Sequence, residues 1–207
     1  MYELFAGSFP VDKSISSPGK GMPLASPHEG LGELFARFSG CSFCSGLYRI
    51  LTPATAEQWE ALVTDPFPNY AGRLSCFGYD WLGRGFAVDS RRREKDGAGV
   101  LMFEPGTGKA LQIPCGVRGF HDDELYRDRE PALSAGFHAE WIKRGGAVPN
   151  RGQCVGYKRP LFLGGGDEVE NLELIDIDVY WTVMGALIRK ARGLAPGAKL
   201  GKLKLIE

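Results

Sequence analysis

Between Arg73 and Pro114 the chain breaks into four short runs rich in apolar and β-forming residues: RLSCFGY (73–79), GRGFAVD (83–89), GVLMFEP (99–105) and KALQIP (109–114). Turn residues separate them, and Gly106-Thr107-Gly108 stands where a hairpin connection belongs. Strands this close leave no room for a crossover helix, so the spacing predicts an antiparallel meander. Helical patterns surround it. Leu31, Leu34, Phe35 and Phe38 recur at i, i+3, i+4, i+7 behind Ser26-Pro27-His28-Glu29, where Ser26 suits an N-cap, Pro27 the first helical position and Glu29 a capping box. Gly40 ends that helix. GLYRIL (46–51) reads as a short strand, and Thr52-Pro53 opens a second helix with Ala56, Trp59, Leu62 and Val63 on its inner face. Residues 120–145 return to helical composition, anchored by Leu125, Trp141 and Ile142 and interrupted at Pro131. RPLFLGG (159–165) and VENLELI (169–175) read as two more extended pieces. A last helix from about Asp176 carries Val179, Tyr180, Val183, Met184, Leu187 and Ile188 on a 3.6-residue stripe. The expected class is α+β: an antiparallel sheet of about five to six strands flanked by helices.

The organisation expected is an irregular N-terminal arm over 1–27, strapped down by Tyr2, Leu4 and Phe5, a single domain over 28–192, and a basic tail over 193–207. A chain of 207 residues with 43% hydrophobic and 24% charged residues can bury a core without metal or disulfide. Basic and acidic residues balance at 25 each, so no overall field favours direct binding to nucleic acid. The apolar runs fall short of the ~20 residues of a membrane span. The start MYELFAGSFP has no basic region leading into an apolar one, so the expected address is the cytoplasm.

Chemical motifs fail on inspection. EPGTGKA (104–110) lacks the early glycine of a phosphate loop, having Phe103 there, and has Ala110 where magnesium binding needs Ser or Thr. HDDEL (121–125) has no second histidine four residues on, and Asp122, Asp123 and Glu124 read as the acidic start of a helix. Asp176-Ile177-Asp178 reads as a helix cap before it reads as a metal-binding pair. The cysteines at 41, 44, 76, 115 and 154 form one C-x-x-C without a second ligand pair, and read as small packing residues. No catalytic residue, metal or cofactor is expected.

Charge segregation survives. From Gly164 to Tyr180 stand six acidic residues, Asp167, Glu168, Glu170, Glu173, Asp176 and Asp178, and no basic one. From Trp181 onward six basic residues face one acidic. A neutral chain so arranged can present signed patches.

Three blocks carry a resemblance: Ser75-Cys76-Phe77-Gly78-Tyr79-Asp80-Trp81-Leu82-Gly83-Arg84, Val100 to Gly108 (VLMFEPGTG), and most specifically Cys154-Val155-Gly156-Tyr157-Lys158-Arg159-Pro160-Leu161-Phe162-Leu163-Gly164-Gly165, continuing through Val169-Glu170-Asn171-Leu172-Glu173-Leu174 to Val179-Tyr180-Trp181. They resemble the type VI secretion DNase-immunity proteins of the Tdi type. The stretch 28–48 is more loosely similar to that family and to the wider SUKH (Smi-like) immunity superfamily. The resemblance implies a SUKH-like fold and a cytoplasmic, non-catalytic inhibitor that binds a cognate effector toxin, a nuclease in the family's namesake. On that implication the toxin-binding candidates are the acidic run 167–178 named above, then Asp122, Asp123 and Glu124, with Tyr157 as an aromatic anchor; Phe162, Tyr180 and Trp181 serve as anchors or as core. Two other readings stay open: a Smi-like regulatory or adaptor module without a toxin, and an enzyme using Asp176, Asp178 or His121. The sequence leaves the oligomeric state open.

Overall fold

A computed structural model describes residues 1–13 and 28–192. The predicted meander lies at its centre: β3 (Leu74–Asp80), β4 (Gly85–Glu94), β5 (Gly97–Glu104) and β6 (Lys109–Ile113) pair antiparallel in chain order. Two short strands, β1 (Ser42–Phe43) and β2 (Tyr48–Ile50), extend it to a six-stranded sheet ordered β1-β2-β3-β4-β5-β6. The architecture is α+β, as the pattern predicted.

The sheet is covered on both faces, which explains why β3 to β5 read as nearly continuous apolar runs. Helix α3 (Pro53–Thr64) covers one face: its Trp59 stacks on Tyr79 of β3, at 4.7 Å between ring centroids. Thr52 caps it, accepting from the Thr55 amide while the Thr55 hydroxyl receives the Thr52 amide. The other face meets Phe120 and His121, against which Phe77 and Phe86 pack. Phe77 and Tyr79 are two residues apart yet point to opposite faces. The register shift between Cys76 and Gly78 makes that alternation break. A side chain at Gly78 would strike the Arg49 carbonyl and the Tyr48 hydroxyl at 2.7 Å, so the bulge needs glycine.

Three expectations are corrected first. Residues 1–27 do not begin as an irregular arm, because α1 (Glu3–Ser8) is helical and Tyr2, Phe5 and Phe9 are buried. Phe5 packs on Phe9, Phe38, Phe43 and His121. Leu4, one of the three expected straps, is instead 46% exposed. Second, α2 (Leu31–Phe38) starts at Gly30 with no side-chain cap; the proposed Ser26 and Pro27 signals lie outside the described residues, as does the tail 193–207. Third, RPLFLGG is not extended but contains a 3-10 turn at Leu161–Leu163, and the strand preceding it, β7 (Gln153–Tyr157), went unpredicted. It pairs with β8 (Leu172–Asp176) in a separate two-stranded ribbon.

The segment before the ribbon is a chain of short helices: α4 (Val117–Gly119), a π turn at Phe120–Glu124, α5 (Leu125–Arg127), α6 (Glu130–Leu133) and α7 (Ala135–Lys143). Of its expected anchors Leu125 is buried, whereas Trp141 and Ile142 are only partly so. HDDEL therefore does not start a helix; it forms the π turn in mid-run. The last helix, α8 (Ile177–Arg192), buries Ile177, Tyr180, Trp181, Met184, Leu187 and Ile188. Val179 and Val183, assigned to its inner stripe from sequence, are exposed. Cys41, Cys76, Cys115 and Cys154 are buried, Cys44 partly so, and all five are free thiols. Among the described residues no helix is long and apolar enough to cross a membrane, and no cluster of three or more metal-ligating side chains occurs.

Candidate functional site

The β3–β4 turn holds the ribbon in place. The Val155 amide of β7 donates to the Trp81 carbonyl at 2.6 Å, the Trp181 indole of α8 donates to the Gly83 carbonyl at 2.8 Å, and the Trp81 indole donates to the Leu133 carbonyl at 3.0 Å. Each of these polar groups would be costly to bury unpaired, so the three bonds fix β7, α8 and α6 on one turn. Gly83 has a φ of +73°, and a Cβ there would meet the Cys154 sulfur at 2.9 Å. The turn tolerates no larger residue.

Below the turn, Arg84 is buried and pairs with Asp80, at 2.5 Å between Nη2 and Oδ2. It also donates to the Ala132 carbonyl and approaches Glu104 at 3.4 Å. Burial pushes the Asp80 carboxyl up while the Arg84 guanidinium pulls it down. Arg84 opens onto a recess of about 270 Å³ that is also lined by Glu104, Glu130, Tyr157 and Asp167. Each acid in it is engaged: Glu104 by the Thr107 hydroxyl at 2.9 Å, Glu130 by the Gly136 amide at 2.6 Å and Asp167 by the Tyr157 hydroxyl at 2.6 Å. Burial, followed by the hydrogen bond to Asp167, drives the Tyr157 phenol upward, so it stays a neutral donor. The recess is a polar joint between the β5–β6 hairpin, α6 and the ribbon.

The ten sequence-predicted candidates thus separate. Tyr157 and Asp167 meet each other at the joint, and Tyr157 is buried. Glu170 lies in the 3-10 turn Val169–Asn171 and pairs with Arg144, which also holds Glu140. A hydrogen bond from its own backbone amide, then the Arg144 guanidinium, keep its carboxyl below the ordinary value. Glu168, Glu173, Asp176 and Asp178 are exposed, with Asp176 ending β8 opposite Gln153. Asp122 is in a different region and takes the amides of Tyr2 and Phe5. Asp123 pairs with Arg127 at 3.4 Å, and Glu124 is exposed beside it. Of the aromatic candidates Tyr180 and Trp181 are core and Phe162 is partly buried.

Sequence reasoning missed the exposed apolar residues of β8 and α8. Leu174 is 37% exposed, Val183 44% and Val179 50%, and all three belong to the elements that carry Glu173, Asp176 and Asp178. One signal was available: Val179 and Val183 fall off the strict 177, 180, 181, 184, 188 spacing of the buried face.

Residues 121–187, from the π turn through the ribbon and most of α8, match the family model described as T6SS immunity protein Tdi1, C-terminal. This supports a type VI secretion immunity protein family, whose members are not enzymes. No curated protein matches the chain. Among solved structures, the crystal structure of Atu4351 from Agrobacterium tumefaciens is similar in fold, with a TM-score of 0.54 at 15% identity over 89% of this chain and 88% of that one.

Proposed function

We propose that this chain acts in the cytoplasm as an immunity protein that binds a cognate antibacterial effector directly, and that the effector is a nuclease. The observation that carries the reading is a coincidence of place. The segment that matches the immunity family carries exposed Glu168, Glu173, Asp176 and Asp178, together with exposed Leu174, Val179 and Val183 on β8 and α8. An inhibitor needs anchors that lose water on contact and charges that select and steer the partner. A nuclease presents a cationic groove to its phosphate substrate, and an anionic face competes for that groove while speeding encounter at low salt. The ribbon and α8 are fixed to the main sheet through Trp81 and Gly83, so the surface is ordered before binding.

The test is binding of the purified chain to the secreted toxin encoded by the neighbouring gene, with Glu173→Lys/Asp178→Lys as the variant. Both residues are exposed, and with Asp178 in the first turn of α8 the variant should lose no more than about 1–2 kcal/mol of stability. Association should slow by about tenfold or more at low ionic strength. An unchanged association rate and affinity would remove this surface from the contact, and no binding at all would remove direct inhibition.

A further inference from the structure

Beside Trp59 and Tyr79 lies a feature that effector binding does not explain. Arg49 of β2 is 3% exposed. Its Nη2 donates to the Pro149 carbonyl and its Cζ lies 5.4 Å from the Tyr79 ring centroid, but Nε and Nη1 find no acceptor among the described residues. A guanidinium stays cationic in a protein, and buried charges are ordinarily paired. The two carboxylates whose fields reach it are committed elsewhere. Asp12 takes the amides of Ser45 and Gly46 and the Ser42 hydroxyl, and Asp80 takes Arg84.

Arg49 lines a recess of about 70 Å³ together with Arg151, Ser42, Thr55, Trp59 and Tyr79. Among the described residues no carboxylate lines it. Arg151 is held over it by a contact from Nη2 to the Gly40 carbonyl, and the Tyr79 hydroxyl donates to the Arg151 carbonyl at 2.6 Å. Arg49 and Arg151 both line this space, which has the size of one small polyatomic ion, and two donors of the buried Arg49 have no partner among the described residues. Gly46 is part of the same construction: at φ +78° it lies so close to Arg49 that a Cβ would fall 2.7 Å from Nη2.

We propose that this recess binds a small oxyanion, of the phosphate or carboxylate class, with Arg49 as the principal ligand and Arg151 as its second cation. The site is built into the isolated chain and needs no effector, so its test is independent of the immunity reading. Full-length protein is titrated calorimetrically with inorganic phosphate and, separately, with acetate, at fixed ionic strength. Saturable binding of either is expected, with phosphate alone marking a tetrahedral guest and acetate alone a planar one. Arg49→Gln should weaken it by about tenfold or more, the worth of a charge-assisted hydrogen bond. Absence of saturable binding by both anions overturns the proposal, as does equal affinity in Arg49→Gln. Should that variant not fold, Arg151→Gln carries the same comparison, and undiminished affinity there overturns the proposal equally.

Discussion

His121 is walled in by the rings of Tyr2, Phe5, Tyr48, Phe77 and Phe120 and has no exposed surface. Its Nδ1 lies 2.7 Å from the Val117 carbonyl, which can only accept, so Nδ1 carries the proton and Nε2 accepts from the Tyr48 hydroxyl at 3.0 Å. Both nitrogens are satisfied in the neutral ring, and burial lowers its pKa to about 4. The unfolded residue titrates near 6.5. Stability from this residue is therefore complete above pH 6.5 and is lost as pH falls towards 4, where the unfolded chain takes up a proton that the folded chain refuses. The loss amounts to about 3 kcal/mol. Urea midpoints at pH 7.5, 5.5 and 4.5 should fall steeply for the parent and less so for His121→Gln. A slope remains in the variant because burial also lowers His138. Equal slopes would contradict the assignment. Sequence admitted His121 as a reactive candidate because five residues around it, HDDEL, cannot show that its walls come from Tyr2, Phe5, Tyr48 and Phe77.

The six-residue α1 is too short to hold itself together. Tyr2, at its N-cap position, has a φ of 67° and makes no side-chain cap; Asp122 supplies one from 120 residues away, accepting from the Tyr2 amide at 2.9 Å and the Phe5 amide at 3.1 Å. Asp122→Ala should cost about 1–2 kcal/mol. Amide exchange over residues 3–8 should accelerate before the sheet does, and undiminished protection there would show the helix to be held by packing alone. Elements whose signals are local were readable: the meander from its turns, and α3 from Thr52-Pro53. α1 was not, because its apolar spacing is too short for a period and its cap is remote. β7 was missed for a similar reason. QCVGY gains its strand character from pairing Cys154 with Ile175 and Val155 with Leu174, across a turn-rich stretch that composition reads as loop.

At the scale of the molecule, the N-terminus is part of the core. Removing residues 1–9 takes away Tyr2, Phe5 and Phe9, each worth about 1.5–3 kcal/mol by burial. That sum falls within the ~5–15 kcal/mol that holds a typical domain together. The truncated chain should lose its cooperative unfolding transition by circular dichroism at 25 °C; a transition at the parental temperature would show the segment to be dispensable. The same scale explains how far the candidate site could be read. Sequence counted the acids between Gly164 and Tyr180 correctly, but it could not see that Tyr157 claims Asp167 and that Arg144 claims Glu170. Nor could it see that Val179 and Val183 stand outside, since the packing of α8 on the core sets which flank of a helix is spare.

β8 pairs with β7 alone among the described strands, leaving its other margin without a paired strand. Such a margin, on a strand that also exposes Leu174, is a template on which a second copy of the chain can stack. Glu173 and Asp176 on the same strand give two copies like charge at that seam. The acids of β8 thereby oppose edge-to-edge association of copies of the chain in a crowded cell.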